Sequence, residues 1–292
     1  MQQTNTEQWT TRKLLAWMTQ RFESNQIDSP RLISEMLLTH VFGGERIDLY
    51  ANVDRIATDG ELADLRSFVK RTLNHEPVQY IVGSTWFYGL QFDVNSSTLI
   101  PRTCTETIVD QAMQFADQSQ SPTHIADIGT GSGCIAITIA TQRKNVQIVA
   151  TDIAKDALEL AQQNATKHSV QDRITFIQGD GCDPISTLQP FNIICSNPPY
   201  IPDAEIASLD PNVGKWEPNL ALSGGPDGLS VLAPLVENCP QYLADGGVLL
   251  LEIASSIKGA VLELARANPA LKETKILRDR FGDDRFIRAV KS

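Results

Sequence analysis

From His124 onward the chain alternates between short apolar runs and amphipathic stretches, and this alternation restricts the fold more than any other feature. His124 to Ile128, Val146 to Thr151, Ile174 to Gln178, Phe191 to Cys195 and Val248 to Ile253 have the length and composition of strands. Cys134 to Thr141, Lys155 to Lys167, Leu229 to Leu243 and Ile257 to Ala267 read as helices. Two closing strands are expected near Thr274 to Leu277 and Phe286 to Val290. Strands and helices in this order predict an α/β fold: a doubly wound, mostly parallel, seven-stranded sheet with helices on both faces. In such sheets ligands bind outside the carboxyl ends of the strands.

Those strand ends carry the informative residues. The first is followed by Gly129-Thr130-Gly131-Ser132-Gly133, which opens a helix. Glycine at every second position lets the main chain approach a ligand and turn sharply, and the helix N-terminus favours an anionic group. Asp152 ends the second strand, where a carboxylate can accept from two ribose hydroxyls; it would also serve as a helix N-cap. Asp180, within Gly179-Asp180-Gly181, ends the third strand. It can receive an exocyclic amine or simply complete a turn. Nucleotide binding follows, but the Gly-x-Gly-x-Gly spacing is not the dinucleotide form.

The fourth strand ends in Ser196-Asn197-Pro198-Pro199-Tyr200. Two prolines stop the strand and stiffen the loop, and the proline after Asn197 holds that residue extended. The loop offers an amide side chain, main-chain carbonyls without competing N–H groups, and an aromatic ring. It suits a planar group with two N–H donors, such as an amide or an exocyclic amine. Asn-Pro is also an ordinary turn dipeptide.

Composition narrows the partners. The 292 residues carry a net charge of −10, which argues against a nucleic-acid substrate held through its phosphates. Five cysteines, Cys104, Cys134, Cys182, Cys195 and Cys239, form no C-x-x-C pair. They suggest a reduced, cytoplasmic protein without disulfides or zinc. The polar stretch Gln2 to Thr11 is no signal core, and no run approaches a membrane span.

Residues 7 to 75 read as amphipathic helices packed as a small bundle. Ser29-Pro30 marks one helix start, with Leu32, Ile33, Met36, Leu37 and Val41 as its apolar face. Tyr80, Ile81, Trp86, Phe87, Tyr88, Phe92 and Val94, punctuated by Gly83 and Gly89, suggest a β-hairpin. The expected organisation is a helical substrate-docking domain over 1–76, a hairpin linker over 77–105 and a catalytic domain over 106–292. A polar linker of Ser, Gln and Pro is expected from Gln118 to Thr123.

The order of glycine loop, acid, acid and Asn-Pro-Pro-Tyr resembles S-adenosylmethionine-dependent methyltransferases of class I, Rossmann-like fold that methylate planar nitrogen. Glu76-Pro77, Tyr80-Ile81, Gly83, Phe87-x-Gly89, Leu99-Ile100-Pro101-Arg102 and Thr105-Glu106 narrow this. With Glu217-Pro218, Gly224-Gly225-x-Asp227-Gly228-Leu229, Arg278-Asp279 and Asp283-x-Arg285, they resemble the protein-(glutamine-N5) methyltransferases of peptide chain release factors, the HemK/PrmC family. Thr103-Cys104, Gly181 and Ala254 depart from that family's usual residues.

The resemblance implies methyl transfer from S-adenosylmethionine to the glutamine of the Gly-Gly-Gln loop of class I release factors, by a monomer. It assigns the cofactor to Gly129, Thr130, Gly131, Ser132, Gly133, Asp152, Asp180, Gly181 and Asn197. It assigns the acceptor to Asn197, Pro198, Pro199 and Tyr200, with Asn197, Pro198 and Tyr200 catalytic. A ribosomal-protein glutamine or an adenine amino group stands as the alternative acceptor.

Overall fold

A computed structural model describes residues 8–118, 121–188 and 190–292. The N-terminal end of the expected polar stretch, two residues of the 118–123 linker, and residue 189 lie outside the described residues. In chain order the elements are α1 (Thr11–Glu23), α2 (Pro30–Phe42), α3 (Asp48–Ala51), α4 (Asp59–Leu73) and α5 (Val78–Val82), then β1 (Ser84–Phe87), β2 (Leu90–Asp93), α6 (Glu106–Ala116), β3 (Thr123–Ile128), α7 (Cys134–Gln142) and β4 (Val146–Asp152). There follow α8 (Lys155–Lys167), β5 (Ile174–Gln178), β6 (Phe191–Ser196), α9 (Asp203–Ile206), α10 (Pro211–Gly214), α11 (Leu232–Asn238), β7 (Leu243–Glu252), α12 (Lys258–Ala267), β8 (Leu271–Arg278) and β9 (Asp284–Lys291).

The chain forms two compact units. One runs to Gly83 and includes Pro211–Trp216; the other holds Ser84–Asp210 and Glu217–Ser292. In the first, Thr10 caps α1 and a Thr58/Glu61 capping box starts α4, so orphan N–H groups at both helix starts are satisfied. Met18, Phe22, Leu37 and Leu38 are completely buried in its core. Ser29 occupies the N-cap position of α2 in a left-handed conformation and makes no side-chain cap. The buried face of α2 is Ser34, Glu35, Leu37 and Leu38, and Leu32 is exposed. Glu35 tolerates burial because Arg31, Arg46 and Tyr50 donate to its carboxylate. Val78–Val82 is helical, contrary to the β-forming character of Tyr80 and Ile81, because Val78 and Ile81 complete this core. Gly83, left-handed, ends the turn.

The second unit opens with the expected hairpin, Ser84 pairing with Asp93 and Phe87 with Leu90 around a Tyr88-Gly89 turn. Both turn residues have positive φ, as a two-residue hairpin turn requires. The seven-stranded sheet has the order β5-β4-β3-β6-β7-β9-β8, parallel except for β9, which is antiparallel to both neighbours. Its central strands are buried on both faces, which explains their unbroken apolar runs. Phe87, Phe92, Ile108 and α7 cover one face; α11 and α12 cover the other. The stretch expected as one helix over Leu229 to Leu243 is shorter. α11 ends at Asn238, Pro240 holds a tight 3-10 turn, and Leu243 already begins β7.

One expectation fails outright. Cys182 and Cys239 form a disulfide. The two lie 57 residues apart with Cα atoms 6.1 Å apart, within bridging distance, and no short spacing in the sequence announces the pair. Cys104, Cys134 and Cys195 are free.

Candidate active site

Strand register sets the site. Ile128 pairs with both Thr151 and Ser196, Asp152 with Gln178, and Ser196 with Leu251. The loops after β3, β4, β5 and β6 therefore leave the sheet at one edge, and Glu252 ends β7 beside them. Strand order reverses between β3 and β6, the switch point where such sheets bind ligands. A cavity of about 380 Å³ opens there. Gly129, Thr130, Gly131, Ser132, Asp152, Asp180 and Gly181 line it, as do Asn197, Pro198 and Pro199. Gly133 and Tyr200 are absent from that lining.

The glycine loop is anchored from beneath. Thr130 N donates to Thr151 O at 2.8 Å, and the Thr130 hydroxyl donates to Asp127 Oδ2 at 2.6 Å. Asp127 is completely buried, and burial raises its pKa to about 6 although the Thr130 hydroxyl and Ala136 N both donate to it. Gly131 N donates to Asp152 Oδ2 and Ala154 N to Asp152 Oδ1, both at 2.9 Å. Asp152 thus ties the loop to the start of α8, and each oxygen keeps a lone pair for a ligand. Burial raises its pKa, and the backbone donors oppose that shift.

Gly131 sits at φ +56 with no atom within 4 Å of the position a Cβ would take. This open cradle, with a carboxylate next to it, fits a cofactor bearing a charged amino-acid end and a ribose. Gly133 has another task. A Cβ there would lie 2.6 Å from Ile137 Cδ1 and 3.2 Å from Ala161 Cβ, so this glycine lets α7 and α8 pack closely.

The second loop begins with the Ser196 hydroxyl donating to Ile128 O at 2.6 Å. Asn197 Nδ2 donates to Thr105 Oγ1 at 3.1 Å. The Tyr200 hydroxyl donates to Glu252 Oε1 at 2.9 Å, and the Thr105 hydroxyl to Oε2 at 2.7 Å. Burial raises the pKa of Glu252 and, more strongly, of Tyr200. Behind the loop, Ile201 N donates to Leu222 O at 3.0 Å and Gly224 N to Ile201 O at 2.8 Å. A Cβ on Gly228 would meet Tyr200 O at 2.6 Å. The Gly224–Gly228 segment can therefore press on the main chain of Tyr200 only because it carries glycine there. Glu217 accepts from Ile100 N at 3.1 Å and pairs with Arg102, which fixes the Leu99–Arg102 wall.

Thr105, Glu252 and Glu217 stood in the sequence only as parts of family-like motifs. Their roles come from contacts across 52 to 148 residues, a separation at which spacing carries no signal. Among the described residues lining the cavity there is no histidine or lysine. The site is equipped to bind, orient and polarise rather than to shuttle protons through a strong base.

Two family models match the chain: the PrmC N-terminal domain over residues 13–83 and the Methyltransferase small domain over residues 106–209. The release factor glutamine methyltransferase of Geobacter sulfurreducens is 41% identical over 85% of this chain and 85% of its own length. The fold also resembles the hMettl16 catalytic domain solved with the MAT2A 3'UTR hairpin 6, at 14% identity and a TM-score of 0.56 over 82% of this chain and 84% of that one; this likeness concerns the fold alone. The release factor glutamine methyltransferase of Rhodopirellula baltica is 37% identical over 99% of this chain and 98% of its own length, and the chain accordingly belongs to the release factor glutamine methyltransferase family.

Proposed function

We propose that the protein transfers a methyl group from S-adenosylmethionine to the side-chain amide nitrogen of the glutamine in the Gly-Gly-Gln loop of class I release factors. The observation that carries this reading is the Asn197 amide in the cavity wall, whose nitrogen donates to Thr105; we assign its oxygen to the acceptor.

S-adenosylmethionine supplies an electrophilic methyl on a sulfonium when bound. Gly129 to Ser132 would hold its methionine end, Asp152 its ribose, and Asp180 with Gly181 its adenine. The Asn197 side-chain oxygen and the Pro198 carbonyl would each accept one N–H of the substrate amide. Two acceptors fix the plane of the amide and raise electron density on its nitrogen, so catalysis is positioning and electrostatics. Tyr200 would brace this loop through Glu252. The proton leaving the methylated nitrogen would pass to water.

The unit containing residues 8–83 would dock the release factor. The net charge of −10 weighs against a nucleic-acid acceptor. We infer further that the enzyme works as a monomer in the cytosol, where it would meet a release factor. The test is transfer of labelled methyl from S-adenosylmethionine to purified release factor, with a Gly-Gly-Ala factor as control. Label on the first alone supports the reading. Label on neither, with the cofactor still bound, would overturn the assigned acceptor.

A further inference from the structure

We propose that Thr105 and Glu252 form a relay that decides which end of the Asn197 amide is presented to the acceptor; the inference rests on the glutamine-methyltransferase reading above. The two ends of a side-chain amide have nearly the same shape and opposite chemistry. Only the oxygen end can accept an N–H. Nothing local to Asn-Pro-Pro makes that choice.

The choice is made from the neighbouring strand. Glu252 is 1% exposed at the end of β7. It receives the Tyr200 hydroxyl on Oε1 and the Thr105 hydroxyl on Oε2; the Cys104 thiol also points at Oε1, at 3.9 Å. Each carboxylate oxygen thus accepts one hydroxyl proton. Thr105 has one hydroxyl proton, and that proton is committed to Glu252 at 2.7 Å. Its oxygen can then only accept, and Asn197 Nδ2 supplies the donor at 3.1 Å.

Turning the amide over would set Asn197 Oδ1 against Thr105 Oγ1 with no proton between them. Proton direction is therefore fixed along Asn197, Thr105 and Glu252, and the amide oxygen is the end left over. Donation from Nδ2 also polarises the amide and makes that oxygen a better acceptor. Thr105 and Glu252 are positioning residues, acting on the acceptor through Asn197.

The test compares wild type with Thr105→Val, which keeps the shape and loses the hydroxyl, and Thr105→Ser, which keeps the hydroxyl. Three quantities are read: turnover on release factor, cofactor affinity by calorimetry, and exchange of the Asn197 side-chain amide protons by NMR with labelled asparagine. Thr105→Val is expected to lower kcat about tenfold or more, with cofactor Kd within about twofold of wild type. Its Asn197 amide protons exchange faster, and Thr105→Ser recovers most of both losses.

Unchanged kcat with unchanged amide exchange in Thr105→Val would overturn the relay. So would a fall in cofactor affinity that matches the fall in kcat, the mark of a merely structural residue. If wild type fails to methylate release factor, the glutamine reading falls, and the exchange data still decide for or against the relay.

Discussion

The Tyr200 hydroxyl donates to Glu252 Oε1 at 2.9 Å, so the last residue of the Asn-Pro-Pro-Tyr loop is pinned to the end of the adjacent strand β7. Tyr200 lies off the cavity lining and packs against the core beneath α11 and α12. Tyr200→Phe keeps the ring and removes one donor from a buried carboxylate. A loss of about 1–3 kcal/mol in urea unfolding is expected, with cofactor affinity close to wild type by calorimetry. Wild-type stability would mean that the bond contributes nothing.

Asn197→Ala removes the acceptor oxygen and the donor to Thr105 together. Turnover on release factor should fall roughly tenfold to a hundredfold, and cofactor Kd should change less. Wild-type turnover in this variant would end the proposed role of Asn197.

Asp152 and Gly131 line the part of the cavity proposed to hold the cofactor. Asp152→Ala frees the glycine loop from its carboxylate anchor and removes the acceptor for a ribose. Cofactor Kd should rise about tenfold or more. Gly131→Ala places a methyl in the open cradle, at a φ of +56 that disfavours any side chain; it should weaken cofactor binding as well. Calorimetry that finds either variant at wild-type affinity would count against this half of the site.

Asp127 links stability to pH. Its folded pKa is raised from 3.8 to about 6 by burial. A carboxyl with a raised pKa binds its proton more tightly when folded, so its contribution is fully present below pH 3.8 and is lost as pH rises through about 6. Asp127→Asn keeps an acceptor for Thr130 and Ala136 and removes the titration. The stability of wild type relative to this variant should fall by about 2 kcal/mol between pH 4 and 7, measured by denaturant unfolding. A difference that stays flat with pH would refute the shift.

Gly228→Ala would drive a Cβ to 2.6 Å from Tyr200 O at a φ of +80. The segment must move or the Tyr200 main chain must yield. A destabilisation of about 1–3 kcal/mol is expected. Turnover should fall further than cofactor affinity, since the segment backs Tyr200 and not the glycine loop. Equal losses in the two would show a general disturbance instead.

Much of the fold was legible because burial in a parallel sheet imprints itself locally. Lys155–Lys167 and Ile174–Gln178 have the bounds their periodicity predicts. The glycine loop, Asp152, Asp180 and Asn197 meet around one cavity because each follows a strand end, and parallel register gathers strand ends at one edge. Propensity failed where another force prevailed. Val78–Val82 became helical to complete a core, and Pro240 split the segment before β7.

Sequence alone determined the alternation, the seven strands and the motifs at their ends, because hydrophobic period and backbone stiffness act over a few residues. Tertiary structure alone decided that Cys182 meets Cys239, that Gly133 serves packing, and that Glu252 and Thr105 stand behind Asn197. Apart from the contact of Gly133 with Ile137, those relations join residues between 28 and 147 positions apart. At such separations no local pattern carries a signal, and only the register of the folded sheet sets which side chains share a proton.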